Sequence, residues 1–247
     1  MIRIGMIVPS SNTVVEDATI RLLASRGDVL VVSTRVRVQT ISSDSGGAAF
    51  GIDSMVDAAL LLADARPDVI VWNGTAGSWL GVDHDDAVCT AIAAATGVPA
   101  TTSTLAILRA CRHLGVDELA VASPYTGDIV DRIIAEYAKH GVAVTGHAEW
   151  GLSDNFSFAA ASSMDVAELM VEAAANVDVD ALALICTNVD GTAVTPRVEA
   201  AIGRPVIDSI AATLWCALDI AGADTHIGGW GHLLDRGSTI RRRGINA

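Results

Sequence analysis

Short runs of β-branched and aliphatic residues alternate along this chain with longer stretches in which Ala and Leu recur at helical spacing. The apolar runs predict strands over Ile2–Val8, Val29–Thr34, Val69–Asn73, Leu119–Ser123, Val142–His147, Ala181–Cys186 and Val206–Asp208. The periodic stretches predict helices over Val14–Ala24, Ser54–Ala65, Asp85–Ala95, Thr104–Leu114, Thr126–His140, Asp165–Asn176, Pro196–Ile202 and Ile210–Ala221. This alternation predicts an α/β fold, with parallel sheets flanked by helices on both faces. Val69–Trp72 and Ala181–Ile185 carry no polar side, as strands covered twice must. Ligands of such folds bind outside the carboxyl ends of the strands.

The pattern also repeats at long range. Asp68–Thr75 aligns with Asp180–Thr187, Gly97–Ser103 with Gly203–Ser209, and Gly5–Ser10 with Ala120–Tyr125. Three matches in the same order predict two pseudo-symmetric Rossmann-like halves. The first covers residues 1–103, completed by 209–247, and the second covers 104–208. A cleft between them would set Gly74-Thr75 opposite Cys186-Thr187, and Pro9-Ser10-Ser11-Asn12 opposite Pro124-Tyr125-Thr126. One thiol, several hydroxyls, an amide and the unpaired N–H groups of helix N-termini would meet there. Such a set binds a carboxylate without arginine.

Composition narrows the partners. The 247 residues are 51% hydrophobic and 18% charged, enough for a full core. Sixteen basic residues against twenty-nine acidic ones leave a net charge of −13, and only 4% of residues are aromatic. This balance argues against nucleic acid and anionic membrane surfaces. No apolar run reaches bilayer-spanning length, and the opening Met1–Pro9 reads as a strand rather than a signal peptide. A cytoplasmic location is expected, with Cys89, Cys111, Cys186 and Cys216 as reduced thiols. The histidines lack metal-ligand spacing, and Lys139 sits at a helix end rather than in a desolvated pocket. Gly-x-Gly-x-x-Gly and Gly-x-Ser-x-Gly are absent, and Ser45-Gly46-Gly47 lacks the Gly-Lys-Ser/Thr ending of a phosphate loop. No metal or cofactor is expected. Arg241-Arg242-Arg243 reads as a charged tail, and the Gly/Ala-rich helices suggest a homo-oligomer of unfixed size.

Cys186 is the foremost candidate for chemistry. An isolated cysteine is most simply a small buried hydrophobe. This one, however, ends a strand, and its repeat partner is Gly74, which would leave open space opposite. At a helix N-terminus its pKa would be lowered, allowing proton exchange near neutrality. Cys89, Cys111 and Cys216 fall in alanine-rich helical stretches and read as packing. Asn12 or Thr13 would cap the first helix, with Glu16 completing a capping box. Asn12 and the neighbouring serines would remain able to meet a ligand. Thr75 and Thr187 can cap the helices that follow or hold an oxyanion between them, and Tyr125 can project a donor. Asp154-Asn155 reads as a turn or as part of a lid, for which residues 40–50 and 151–160 are the candidates.

Four motifs carry a resemblance: Gly5–Thr13, Gly74-Thr-Ala-Gly-Ser78, Ser123-Pro-Tyr125-Thr and Ile185-Cys186-Thr-Asn. Over nearly the whole chain they resemble the aspartate/glutamate racemase superfamily, especially its maleate isomerase and arylmalonate decarboxylase branches. The resemblance implies two α/β halves around a cofactor-free cleft that accepts a small dicarboxylate. Racemases and maleate isomerases carry one cysteine in each half. The second corresponds to Cys186, and Gly74 stands where the first would be. Gly74 implies the decarboxylase branch, in which loss of carbon dioxide leaves an enediolate that a single cysteine protonates. By position, Thr75 and Tyr125 would be oxyanion donors, Cys186 the acid and the Thr187 backbone a further donor. Ala76 stands where that branch has a second hydroxyl, with Ser78 as a possible substitute. Pro9, Ser10, Asn12 and Asn155 would complete the substrate site. Gly151–Asn155 and Ser11–Thr13 are more similar to maleate isomerase, so isomerisation of an unsaturated diacid is the alternative reading. A non-catalytic dicarboxylate-binding protein is a second alternative.

Overall fold

The computed structural model describes residues 1–41 and 51–236. Ser45-Gly46-Gly47, Arg241-Arg242-Arg243 and most of the 40–50 lid candidate lie outside the described residues. The first sheet contains β1 (Ile2–Pro9), β2 (Val29–Val36), β3 (Val69–Trp72) and β4 (Ala100–Thr102), in the order β2-β1-β3-β4. The second contains β5 (Glu118–Ser123), β6 (Ala143–Glu149), β7 (Ala181–Leu184) and β8 (Val206–Asp208), in the order β6-β5-β7-β8. Every pairing is parallel, and the second sheet repeats the strand order of the first. The helices are α1 (Val15–Leu22), α2 (Ile52–Ala63), α3 (Gly77–Leu80), α4 (Val82–Thr96), α5 (Ser103–Leu114), α6 (Gly127–Lys139), α7 (Ser163–Ala173), α8 (Thr195–Ile202), α9 (Ser209–Ile220) and α10 (His232–Arg236).

Burial follows the sequence pattern. β3 and β7 are buried along their whole length, whereas the edge strands β2 and β6 alternate towards solvent. In α9 the ten residues Ser209–Leu218 are all buried, because this helix is apolar on every side. It packs on α5, which stands after β4 as α9 stands after β8, and also touches α1, β3, β4 and β8. Thr213 Oγ1 donates to Ser103 Oγ across the α5–α9 contact at 2.8 Å. Truncating an aliphatic side chain in this layer, such as Leu218→Ala, would cost about 2–5 kcal/mol. The matched glycines Gly97 and Gly203 close α4 and α8 with φ of 71° and 69°, the left-handed cap that a Cβ would strain.

The differences from the expected elements are local. β4 was not expected, since Ala-Thr-Thr offers no apolar run, although its repeat partner β8 was. β3 and β7 end at Trp72 and Leu184, leaving Asn73 and Cys186 beyond the ladder. The Thr13–Glu16 capping box does not form. Asn12 Oδ1 instead accepts from the N–H groups of Val14 and Val15 (2.9 and 3.0 Å), and Glu16 pairs with Arg35. Asp85 lies in the acidic first turn of α4, where it is fully buried and accepts from the Thr102 hydroxyl.

Candidate active site

The carboxyl ends of the four inner strands meet at one small cavity. β1 delivers Pro9, β3 delivers Trp72 and Gly74-Thr75-Ala76, β5 delivers Tyr125, and β7 delivers Cys186-Thr187. Val38, Ile41, Trp79 and Asn155 complete the lining. The cavity volume is about 20 Å³, room for roughly one water. Its walls are apolar on the Pro9, Val38, Ile41 and Trp79 side. Its polar atoms belong to Thr75, Tyr125, Cys186, Thr187 and Asn155.

These groups form one relay. The Thr75 and Tyr125 hydroxyls share a hydrogen bond of 2.8 Å, and the Tyr125 hydroxyl also bonds the Cys186 sulfur. The Asn188 N–H donates to Cys186 Sγ at 3.3 Å. Burial pushes the Cys186 thiol up to about 12, against the pull of Tyr125 and the Asn188 N–H, while Asp208 adds to the rise. Burial likewise raises the Tyr125 phenol. Both groups are therefore neutral near pH 7, a thiol and a phenol with protons to give. The lowered thiol pKa expected from a helix N-terminus does not occur, because α8 begins only at Thr195 and Cys186 sits in a buried turn.

The main-chain donors left without an acceptor at the cavity also belong to turns rather than to long helices. Among the described residues, no acceptor takes the N–H of Thr75, Ala76 or Thr187. Ala76 leads into α3, a single turn of four residues. Clustered turn amides of this kind form an anion-binding concavity. The two threonine hydroxyls do not act as a pair. Thr187 Oγ1 donates to the Asn73 carbonyl at 2.8 Å and so ties the β7 end to the β3 end.

Three expected contacts lie behind the lining. Ser10 is exposed, and its hydroxyl exchanges hydrogen bonds with the Val38 backbone (3.2 and 3.1 Å), which places Val38 at the cavity. Asn12 is buried with both ends of its amide engaged, Nδ2 on the Thr187 carbonyl and hydroxyl and Oδ1 on α1. Ser78 faces Thr104 and Tyr137 at 3.3 Å each, so it does not stand in for the hydroxyl missing at Ala76. Asn155 reaches the cavity from a strap in which Ile41 N–H donates to Ser153 O (2.9 Å) and Asn155 N–H to Gln39 O (3.1 Å). Of the two lid candidates, the described parts therefore close on each other.

Gly74 does not leave open space. A Cβ on it would lie 2.3 Å from Trp72 Cε2, because the Trp72 indole fills that side. Sequence reasoning also passed over Val38, Ile41 and Trp79, and over Ser209, whose hydroxyl accepts the Cys186 N–H at 3.2 Å and donates to the Leu184 carbonyl at 2.5 Å. Trp72 was legible as the second residue before Gly74 and hence on the same side of an extended chain. The others carry no motif. Among the described residues, no three His, Cys, Asp or Glu side chains gather as metal ligands, and no helix is long and apolar enough to cross a membrane.

A two-sheet α/β enzyme fold with a lone thiol between matched strand ends defines the class, and comparison places the chain within it. A family model for arylmalonate decarboxylase matches residues 4–234, and the chain belongs to this family. The arylmalonate decarboxylase of Bordetella bronchiseptica is 30% identical over 235 residues, covering 94% of this chain and 96% of that protein. A crystal structure of a substituted arylmalonate decarboxylase in a liganded form superposes with a TM-score of 0.85 at 28% identity, covering 96% of this chain and all of that one. A substituted maleate cis-trans isomerase from Nocardia farcinica, holding a covalent succinylcysteine intermediate, superposes with a TM-score of 0.84 at 25% identity. That match covers 96% of this chain and 99% of the isomerase.

Proposed function

We propose that this enzyme is a cofactor-independent decarboxylase of a malonate-type diacid and that Cys186 is its acid. The carrying observation is the buried Cys186 thiol, held by the Asn188 N–H in a cavity whose matched position is glycine instead of a second cysteine; burial raises its pKa and so favours the protonated form. An acid that must give a proton to carbon needs a thiol. A nucleophile that attacks a double bond needs a thiolate.

In this reading one carboxylate lies against the Thr75 hydroxyl and the N–H groups of Thr75, Ala76 and Thr187. The other faces Pro9, Val38 and Ile41, where loss of hydration favours its departure as carbon dioxide. The bonding pair of the broken C–C bond moves onto the remaining carboxylate as an enediolate, which the same donors hold. Cys186 S–H then gives its proton to the α-carbon. The Tyr125 hydroxyl and the Asn188 N–H support the thiolate until water returns the proton. Asn12 and Ser10 position this machinery through Thr187 and Val38 and do not touch substrate.

The test is product analysis on substituted malonates and on maleate. Monoacid and carbon dioxide from a malonate, lost on Cys186→Ser, support the reading. Fumarate from maleate with no decarboxylation would transfer the assignment to the isomerase branch.

A further inference from the structure

We propose that Trp72 is the specificity-determining residue of this site: its indole occupies the volume that a side chain at position 74 would need, closing that wall to a second acid and to bulky substituents. Trp72 is fully buried, lines the cavity together with Cys186, and is the last residue of β3. Its Cε2, Cζ2 and Nε1 atoms lie 2.3, 2.5 and 2.5 Å from where a Cβ on Gly74 would stand. The matched position in the second sheet behaves oppositely. The repeat pairs Trp72 with Leu184 and Gly74 with Cys186. Leu184 turns its Cδ2 onto Gly191, 2.3 Å from where a Cβ there would lie, and leaves room for the Cys186 side chain. Each wall thus pairs one large and one small residue in opposite order. The first wall gives its space to an indole and the second to a thiol.

Two consequences follow from this packing. The α-carbon receives its proton from the Cys186 side alone, so the product has one hand. The substituent on that carbon must also fit beside the indole, so a malonate with a small or single-ring substituent is the substrate class. This specificity rests on the decarboxylase reading, whereas the packing itself does not.

The packing is tested without activity by measuring Tm for Gly74→Ala in the native and Trp72→Leu backgrounds. The expected result is a fall of about 5 °C with Trp72 present and little change with leucine. Insolubility of Gly74→Ala that Trp72→Leu rescues supports the packing equally. An equal loss in both backgrounds, insolubility included, would overturn it. The specificity is tested by decarboxylation of methyl-, phenyl- and naphthylmalonate in deuterated solvent. Trp72→Leu should raise the naphthyl-to-methyl ratio of kcat/KM by more than about tenfold and lower the enantiomeric excess. An unchanged ratio would remove Trp72 as the determinant. If the native enzyme decarboxylates none of the three, the decarboxylase reading fails, while the Tm comparison still decides the packing.

Discussion

Asn12 of the first half and Thr187 of the second are joined through a single amide group, whose Nδ2 donates to the Thr187 carbonyl at 3.0 Å and to its hydroxyl at 3.1 Å. The same side chain accepts from the Val14 and Val15 amides at the start of α1 through Oδ1, so one end of the amide spans the cleft and the other holds the helix that begins beside it. Asn12→Ala should destabilise the fold by about 2–4 kcal/mol, since buried donors and acceptors lose their partners. Urea denaturation measures this, and a loss below about 0.5 kcal/mol would mean that the bracket carries no energy.

Removing the sulfur tests the acid directly. Cys186→Ser should lower decarboxylation by about 10²–10⁴-fold, the usual contribution of a positioned proton donor, with Tm little changed. Unaltered turnover would place the acid elsewhere.

Tyr125→Phe deletes the hydroxyl that links Thr75 to Cys186 while keeping the ring packed against Trp79 and Phe158. A fall in kcat of roughly 10²-fold is expected, the scale of losing one preorganised donor. A far larger loss accompanied by a lowered Tm would point to collapse of the aromatic packing instead.

Asp208 gives a pH signature. Its carboxyl is fully buried, caps α9 through Oδ1, and is pushed up to about 7 by burial. The nearby Asp190 adds to this rise. Because the folded value lies above the unfolded one, the protonated group favours the folded state. That contribution is complete below about pH 4 and disappears as the pH rises to about 7. Asp208→Asn keeps the capping oxygen without the charge and should flatten this part of the Tm–pH curve, leaving the variant the more stable protein at pH 8. Parallel curves would show that Asp208 does not titrate in this range.

Much of the fold was legible because the alternation of apolar runs and helical periods is strong, and because the repeat supplied correspondences that no single motif could. The convergence of Thr75, Tyr125, Cys186 and Thr187 followed from those correspondences. What escaped depended on side-chain direction and burial. Ala100–Thr102 is a strand only because β3 lies beside it. The raised Cys186 pKa depends on how deeply the turn before α8 is buried, which residue spacing does not encode. The space opposite Cys186 was misjudged because glycine in a sequence says what is missing at its own position and nothing of the neighbouring indole. Ser78 was close in sequence to the needed hydroxyl, but α3 turns it towards Thr104 and Tyr137.

The strap over the cavity joins one half to the other through main-chain amides, Ile41 to Ser153 and Asn155 to Gln39. The proposed diacid is far larger than a void of about 20 Å³, so the cavity must widen to admit it, and these pairs are main-chain bonds that hold the strap across it. The deuterium uptake of those two amides is therefore a native gauge of how often the mouth gapes, readable before any substrate has been identified.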